Sequence, residues 1–320
     1  MNKLMPLVQN ENMKIYRRPR AWIMIGIVIA IMILFVVFEK VNAPKMAEGD
    51  EGYKQRLEQR IEGIRSSLNN TEFLPSDSYK TSLENDLKIY EHALAHEQDI
   101  TKNTLWGTVL NSASLMQILT IFTIVIAADI VAGEFSGGTI KLLLIRPVKR
   151  WKILLSKYAA TLLYAVFGLL VLLVSSIIIG AIAYGFAGIS IPHLYIQDGA
   201  VQERSMLVQA LVNYGYNSVS LVMMVTLAFM ISSAFRSSSM SIGFSIGLMF
   251  MGELIVALLQ KYDWVKFFLF SNLNLRQYSP GQTPVVEGMT LGFSVVMLVL
   301  YFVAFNAVAW GLFVKRDVAA

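Results

Sequence analysis

Ionisable residues are rare in the apolar parts of this sequence, so those that occur there are the first candidates for chemistry. Asp129 lies at the end of one long apolar stretch, and Glu253 lies deep inside another. A charge inside a bilayer is costly unless it is paired, hydrated or protonated, so an acid at such a position indicates a functional site. The alternative for Glu253 is a carboxyl group that faces a bundle interior and hydrogen-bonds to a neighbouring helix.

Two histidines are the remaining candidates for a metal site. His92 and His96 in the segment EHALAHE are four residues apart, which places both on one helical face. No third ligand follows at a defined spacing, so an ordinary solvent-exposed face is favoured over a metal site. The sequence has no phosphate loop, no H-E-x-x-H and no G-x-S-x-G pattern. We therefore expect no catalytic residue, no metal and no cofactor in this chain.

The elements that must position these residues are membrane-spanning helices. Of the 320 residues, 55% are hydrophobic and only 15% are charged, against about 25% charged in soluble domains. The absence of cysteine excludes disulfides and thiolate metal sites. Six apolar stretches are long enough to cross a hydrocarbon core of about 30 Å: Ala21–Phe38, Leu110–Val131, Ile153–Phe186, Leu211–Ala234, Met240–Leu259 and Met289–Val314.

The distribution of basic residues predicts the orientation of these spans. Lys and Arg concentrate before the first span, between the second and third, and after the sixth. Because basic loops stay in the cytoplasm, we predict an all-α protein with six spans and both termini cytoplasmic. Residues 41–103 form an insertion outside the membrane. Apolar stripes from Tyr53 to Leu68 and from Tyr79 to Leu94, separated at Pro75, predict an extracytoplasmic helical hairpin there. It is either a spacer or a surface for a substrate or partner.

Two further segments have patterns typical of membrane proteins. Residues 261–288, before the sixth span, are apolar in part but too short to cross, which predicts a re-entrant or interfacial helix. In SIGFSIG, Gly243 and Gly247 are four residues apart and permit close approach of another helix. Packing within the chain is favoured over a seam between two copies.

The loop GEFSGGTIKLLLIRPVKRWK, between the second and third spans, combines an acid, two glycines, an apolar run and a proline. We predict a helix from Glu134 to Ile145, with the acid at the positive end of the helix dipole and Pro147 ending it. Apolar residues cover almost its whole circumference, so it must be buried on more than one side. Either a cytosolic protein or anchoring of the loop on anionic lipid explains this pattern.

The same loop resembles the signature of the type-2 permeases of ATP-binding-cassette (ABC) transporters. The N-terminal segment VQNENMKIYRRPRAW likewise resembles the amphipathic lead-in of that family, at Glu11, Lys14 and Arg18 among others. The positions that match the loop pattern are Glu134, Gly138, Thr139, Lys141, Leu142, Leu143, Arg146, Pro147, Val148 and Arg150.

The resemblance implies that residues 1–320 form one exporter transmembrane domain and that the loop is a coupling helix. That helix would dock on a separate ATPase subunit. Two ATPase subunits, which bind ATP and magnesium, would act with this permease and a second copy or homologue of it. The 41–103 insertion resembles branches of the family that export antimicrobial peptides, lipids or drugs and so confer resistance.

The expected function is therefore that of a permease subunit of an ATP-driven exporter. It would lie in a bacterial plasma membrane, contact lipid and bind no nucleic acid. The alternative is a membrane-anchored sensor or scaffold, whose outer hairpin binds a ligand and whose basic loop recruits a partner. A passive channel is disfavoured because the sequence has no evident ring of charged filter residues.

Overall fold

The computed structural model describes residues 4–42, 50–69, 77–140, 148–186, 188–197 and 199–315. The first four helices are α1 (Leu4–Tyr16), α2 (Pro19–Asn42), α3 (Asp50–Asn69) and α4 (Asp77–Ala95). A short α5 (Leu105–Ser112) continues through one 3₁₀ turn into α6 (Met116–Ser136). The later helices are α7 (Arg150–Tyr184), α8 (Met206–Ala234), α9 (Ser238–Leu259) and α10 (Leu291–Lys315).

Six helices of these described ranges are long and apolar enough to cross a membrane: α2, α5–α6 as one unit, α7, α8, α9 and α10. The six stretches that the sequence predicts to span are thereby confirmed, with ends shifted by a few residues. In the most apolar windows of α5–α6 and α8, 61% of the residues are buried, against 11% in α10. These two helices therefore form the centre of the bundle, and the others surround them.

One segment departs from the predicted all-α fold. Strands β1 (His193–Gln197) and β2 (Ala200–Arg204) pair antiparallel, with His193 opposite Arg204. Gly199 in the connection has φ of 78°. An Asp-Gly pair between two short strands is a strong signal for a two-residue hairpin turn, and the sequence QDGA provides it. The prediction of an entirely helical protein is therefore wrong at these two strands.

The helices α3 and α4 pack on each other and on the β-hairpin. Tyr53 and Leu57 on α3 are buried with Ala93 on α4 and Leu194 on β1. Tyr79, at the start of the apolar stripe predicted on α4, is 47% exposed. The prediction that Tyr79 belongs to the packed face of this helix is therefore wrong. Pro75, the expected break, lies outside the residues that the structure describes.

The segment before α10 consists of three short helical turns, Asp263–Phe267, Leu269–Leu273 and Leu275–Tyr278. It packs tightly against α9, because a Cβ on Gly252 would come within 2.4 Å of the Phe270 ring. A side chain larger than that of glycine therefore cannot be accommodated without displacing the segment.

The bundle has two ends, which differ in charge. One end, which we call the basic end, is where α1 meets the ends of several spans. These are the beginnings of α2, α7 and α9 and the ends of α6, α8 and α10. The α3–α4 pair and the β-hairpin lie at the opposite end, the hairpin end.

Candidate functional site

Glu134 lies in the last turn of α6 and does not begin a new helix. The amides of Gly137 and Gly138 donate to the carbonyls of Gly133 at 2.9 Å and Phe135 at 3.1 Å. Gly138 has φ of 69°, the left-handed conformation that commonly ends a helix. The predicted helix from Glu134 to Ile145 is therefore wrong at its start.

This position changes the electrostatics of the acid. The C-terminal end of a helix carries partial negative charge, which disfavours a carboxylate. Glu134 in the last turn of α6 therefore needs cations close by. At the predicted position, the start of a helix, the helix dipole would have stabilised its carboxylate.

Two lysines supply these cations in a buried network. Lys157 Nζ donates to Glu134 Oε1 at 2.9 Å and to Glu11 Oε2 at 2.8 Å. Lys14 Nζ donates to Glu11 Oε1 at 2.8 Å and to Glu134 Oε1 at 3.2 Å. We call these four residues the charge cluster. It has two positive and two negative members, and the Lys157 side chain is only 1% exposed.

The charge cluster joins three elements, because its members come from α1, α6 and α7. Burial by itself would lower the pKa of Lys14, but hydrogen bonds and attraction to Glu11 and Glu134 outweigh it and raise that pKa. Lys14 therefore stays charged at neutral pH. A buried charge that keeps its partners is tolerated, whereas one that loses a partner is strongly destabilising.

Asp129 is the centre of a second network beside the first. Arg18 Nη1 donates to its carboxylate at 2.8 Å, and Arg20 and the Ser238 hydroxyl donate to it as well. A Cβ on Gly133 would lie 2.7 Å from Asp129 Oδ1, so only glycine leaves room for this carboxylate. Asp129 thus ties the segment before α2 and the start of α9 to α6. Its bonds explain its place in an apolar helix.

The residues after α6 are attached to the same structure. The Thr139 hydroxyl donates to the Glu134 carboxylate. Ile140, the next helical residue, is 5% exposed and belongs to an apolar cluster with residues of α6, α7, α8 and α10. The buried members are Val131, Ile140, Leu154, Tyr158, Phe229, Ala309 and Phe313. The start of the loop is therefore held by the ends of four spans.

A cavity of about 50 Å³ lies between the two networks, and its lining includes Glu11, Asp129, Glu134 and Thr139. It has room for no more than a few water molecules. The basic end is thus a tightly connected junction with no room for a substrate in this cavity.

Sequence reasoning found only part of this junction. Of the predicted coupling residues, Glu134, Gly138 and Thr139 belong to it. The other predicted residues lie outside the described ranges: Lys141, Leu142, Leu143, Arg146 and Pro147. Lys157 and Ile140 were missed. Lys157 could have been found, because it stands among apolar residues in KILLSKYAATLL. It was missed because it was grouped with the basic residues of the loop before the third span.

Glu253 lies on the outer surface of α9, whereas Asp129 is buried in the junction. It is exposed at the surface of the single chain, and Gln117 Nε2 lies 3.4 Å from each of its carboxylate oxygens. The prediction of a Glu that faces a bundle interior is therefore wrong, although the bond to a neighbouring helix is present. A carboxylate on the outer face of a span must be covered by another molecule or by water.

Gly243 and Gly247 face outward on the same helix. A Cβ at either position would meet no atom within 4 Å. The buried side of α9 is formed by Ser241 and Ser245 instead, which are at most 1% exposed. The favoured prediction that the two glycines pack within the chain is therefore wrong, and they remain free to contact lipid or another copy.

The histidine pair shows no sign of a metal site. The rings of His92 and His96 stack with centroids 3.9 Å apart, and His96 Nδ1 lies 2.9 Å from the His92 carbonyl oxygen. Within the described ranges no group of three or more His, Asp or Glu residues could hold a metal ion.

The fold defines a class, that of multi-pass α-helical membrane proteins. Residues 85–319 match the family described as "Protein of unknown function (DUF2705)", and the chain belongs to this family. It is 40% identical over 320 residues to "Uncharacterized protein YhcI" of Bacillus subtilis, covering 99% of this chain and 100% of that protein. It is 33% identical over 220 residues to "Uncharacterized membrane protein YdbK" of the same organism, covering 68% of this chain and 85% of that protein. The name of the second relative agrees with the class.

Proposed function

We propose that this protein is the permease subunit of an ATP-driven ABC exporter in a bacterial plasma membrane, with both termini in the cytoplasm. Two partner ATPase subunits would bind ATP and magnesium, and a second permease would complete the assembly. The chain itself would supply no catalytic residue. The substrate would be an amphiphile, such as an antimicrobial peptide, a lipid or a drug.

The attachment of the loop supports the proposal best. A loop that transmits force needs a rigid connection to several helices. Here Glu134 and Thr139 are hydrogen-bonded to each other, and Ile140 is buried among the ends of four spans. The pattern that resembles an ATPase-docking loop begins at Glu134 and continues through residues 141–150. A displacement of that segment would therefore be passed directly to α6, α7, α8 and α10.

The charge cluster extends this connection to α1. Lys157 bonds both Glu11 on α1 and Glu134 on α6, so α1 and the loop would move together. A partner can shift such a unit between two states only if it binds one state more tightly. ATP-driven closure of the ATPase pair would supply this difference.

The proposal is tested by capture of the partner and by ATP hydrolysis. The tagged chain is expressed together with candidate ABC ATPases of the same organism and purified from membranes, and ATP hydrolysis by the complex is measured. We expect co-purification of the ATPase, weaker capture by Arg146→Ala and reduced hydrolysis by Glu134→Gln. The control is Glu62→Gln on the exposed side of α3, which should behave as wild type.

Two results would reject the exporter assignment. One is the absence of any captured ATPase. The other is unchanged hydrolysis in both the Arg146 and the Glu134 variants. Either would favour the sensor or scaffold alternative, in which the loop recruits a partner that does not use ATP.

A further inference from the structure

A row of exposed polar residues lies on the α5–α6 unit, where its neighbours are apolar. Asn111, Ser114 and Gln117 are all exposed and follow one another at intervals of three residues. Lipid tails offer no hydrogen bonds, so polar side chains on a lipid-facing surface are unfavourable and normally line water or a ligand. The row is therefore better suited to contact water or a polar ligand than a lipid tail.

A carboxylate stands beside each end of this row. Asn111 Nδ2 donates to Glu39 Oε1 on α2 at 3.1 Å, and Gln117 Nε2 contacts Glu253 on α9 at 3.4 Å. Both α2 and α9 pack against α6. The row therefore lies beside both α2 and α9, with an acid of one of these helices next to each of its ends. Asn111 and Gln117 are six residues apart, or about 9 Å along a helix.

The Asn111 end of the row borders a polar cavity. This cavity has a volume of about 190 Å³, and Glu39 and Asn111 belong to its lining with Lys102, Asn103 and Thr108. Among the residues that the structure describes, the Glu39 carboxylate accepts one further bond, from the Tyr184 hydroxyl at 3.5 Å. Its oxygens therefore retain acceptor capacity for a bound cation.

We propose that Glu39, Asn111, Ser114, Gln117 and Glu253 form a binding track for the cationic head group of an amphiphile. An ammonium or guanidinium group pairs with a carboxylate through short, charge-assisted hydrogen bonds. The amphiphile's apolar chain would lie against the exposed side chains of the surrounding spans. The role of the track in transport rests on the proposed exporter function, whereas binding itself does not.

Binding can be measured on the chain alone. The protein in nanodiscs of phosphatidylcholine is titrated with a dansyl-labelled pentylammonium, and the signal from empty nanodiscs is subtracted. The N-acetylated form of the same probe, which has no charge, is the matched ligand control. We expect saturable binding of the ammonium and at most weak binding of the acetylated form.

Variants of both acids identify the track. We expect the double variant Glu39→Gln with Glu253→Gln to weaken binding about tenfold, as loss of one charge-assisted hydrogen bond implies. Either change alone should weaken it less, because the acids stand at opposite ends of the row and one ammonium pairs with one of them at a time. Gln117→Glu, which adds a carboxylate to the row, should tighten binding. Glu62→Gln should have no effect. Gel filtration of each variant checks that it is folded.

Equal affinity for the charged and acetylated probes would overturn the proposal, as would wild-type affinity in the double Gln variant. Because no ATPase is present in this assay, these failures would leave the ATPase capture experiment unaffected. Conversely, loss of the exporter assignment would not change the binding result.

Discussion

The buried amine of Lys157 provides the sharpest test of the junction at the basic end. Lys157→Met keeps the length and apolar stem of the side chain but removes its charge. The change leaves Glu11 and Glu134 with Lys14 as their remaining lysine partner within the cluster. We expect the protein to lose stability and α1 to loosen from α7.

The magnitude follows from the geometry. Two attractions at 2.8 and 2.9 Å would each amount to about 6 kcal/mol at an effective dielectric constant of about 20. Removing the ammonium from water opposes them by several kcal/mol. Loss of one partner from a buried ion pair typically destabilises by about 3–5 kcal/mol. Since Lys14 still reaches both carboxylates, we expect the lower part of that range.

The measurement is the free energy of unfolding in mixed micelles titrated with dodecyl sulfate, followed by circular dichroism. The matched control is Lys152→Met, which removes a charge from the same helix outside the cluster and should cost less than about 1 kcal/mol. Glu134→Gln combined with Lys157→Met should cost less than the sum of the single changes, because the two residues are in contact. If Lys157→Met is no more costly than Lys152→Met, the cluster does not stabilise the junction.

Three further predictions concern other parts of the fold. Gly133→Ala should destabilise the protein by about 1–3 kcal/mol, because its Cβ would collide with the Asp129 carboxylate; Gly243→Ala, with open space around it, should be neutral or stabilising in the same unfolding titration. In this cysteine-free chain, Gly243→Cys should form a disulfide-linked dimer under mild oxidation, and Val299→Cys on the exposed side of α10 should not; equal yields would argue against a seam at α9. Burial and a nearby arginine lower the pKa of His193. The stability of the protein should therefore fall as the pH falls below the ordinary histidine value of 6.5. His193→Gln should flatten this part of the profile of melting temperature against pH, and an unchanged profile would contradict the burial argument.

The spans could be predicted because crossing a bilayer is a property of local composition. Each apolar stretch must satisfy its own backbone groups as a helix, whatever its neighbours are. The signal for the β-hairpin was equally local, since its Asp-Gly turn is present in the sequence, but the dominance of apolar helical stretches predicted an all-α fold.

The two adjacent glycines at the end of α6 are a local signal that is compatible with two different structures. Two adjacent glycines can weaken a helix or end it, and the pattern of the following apolar run favoured a helix through them. The left-handed conformation of Gly138 ends α6 instead. Glu134 is therefore stabilised by the buried Lys157 and the partly exposed Lys14, and not by a helix dipole.

No local pattern in the sequence predicts which distant acids and bases form pairs. Glu11 and Lys157 are separated by 146 positions, and many other pairings of acids and bases were compatible with the same composition. The packing of α1 against α7 selects this pair, because burial removes water as the competing partner of both charges. The same holds for the outward direction of Glu253. Its place in an apolar span could be read from the sequence, but its side of the helix depends on which face α6 and the segment before α10 cover.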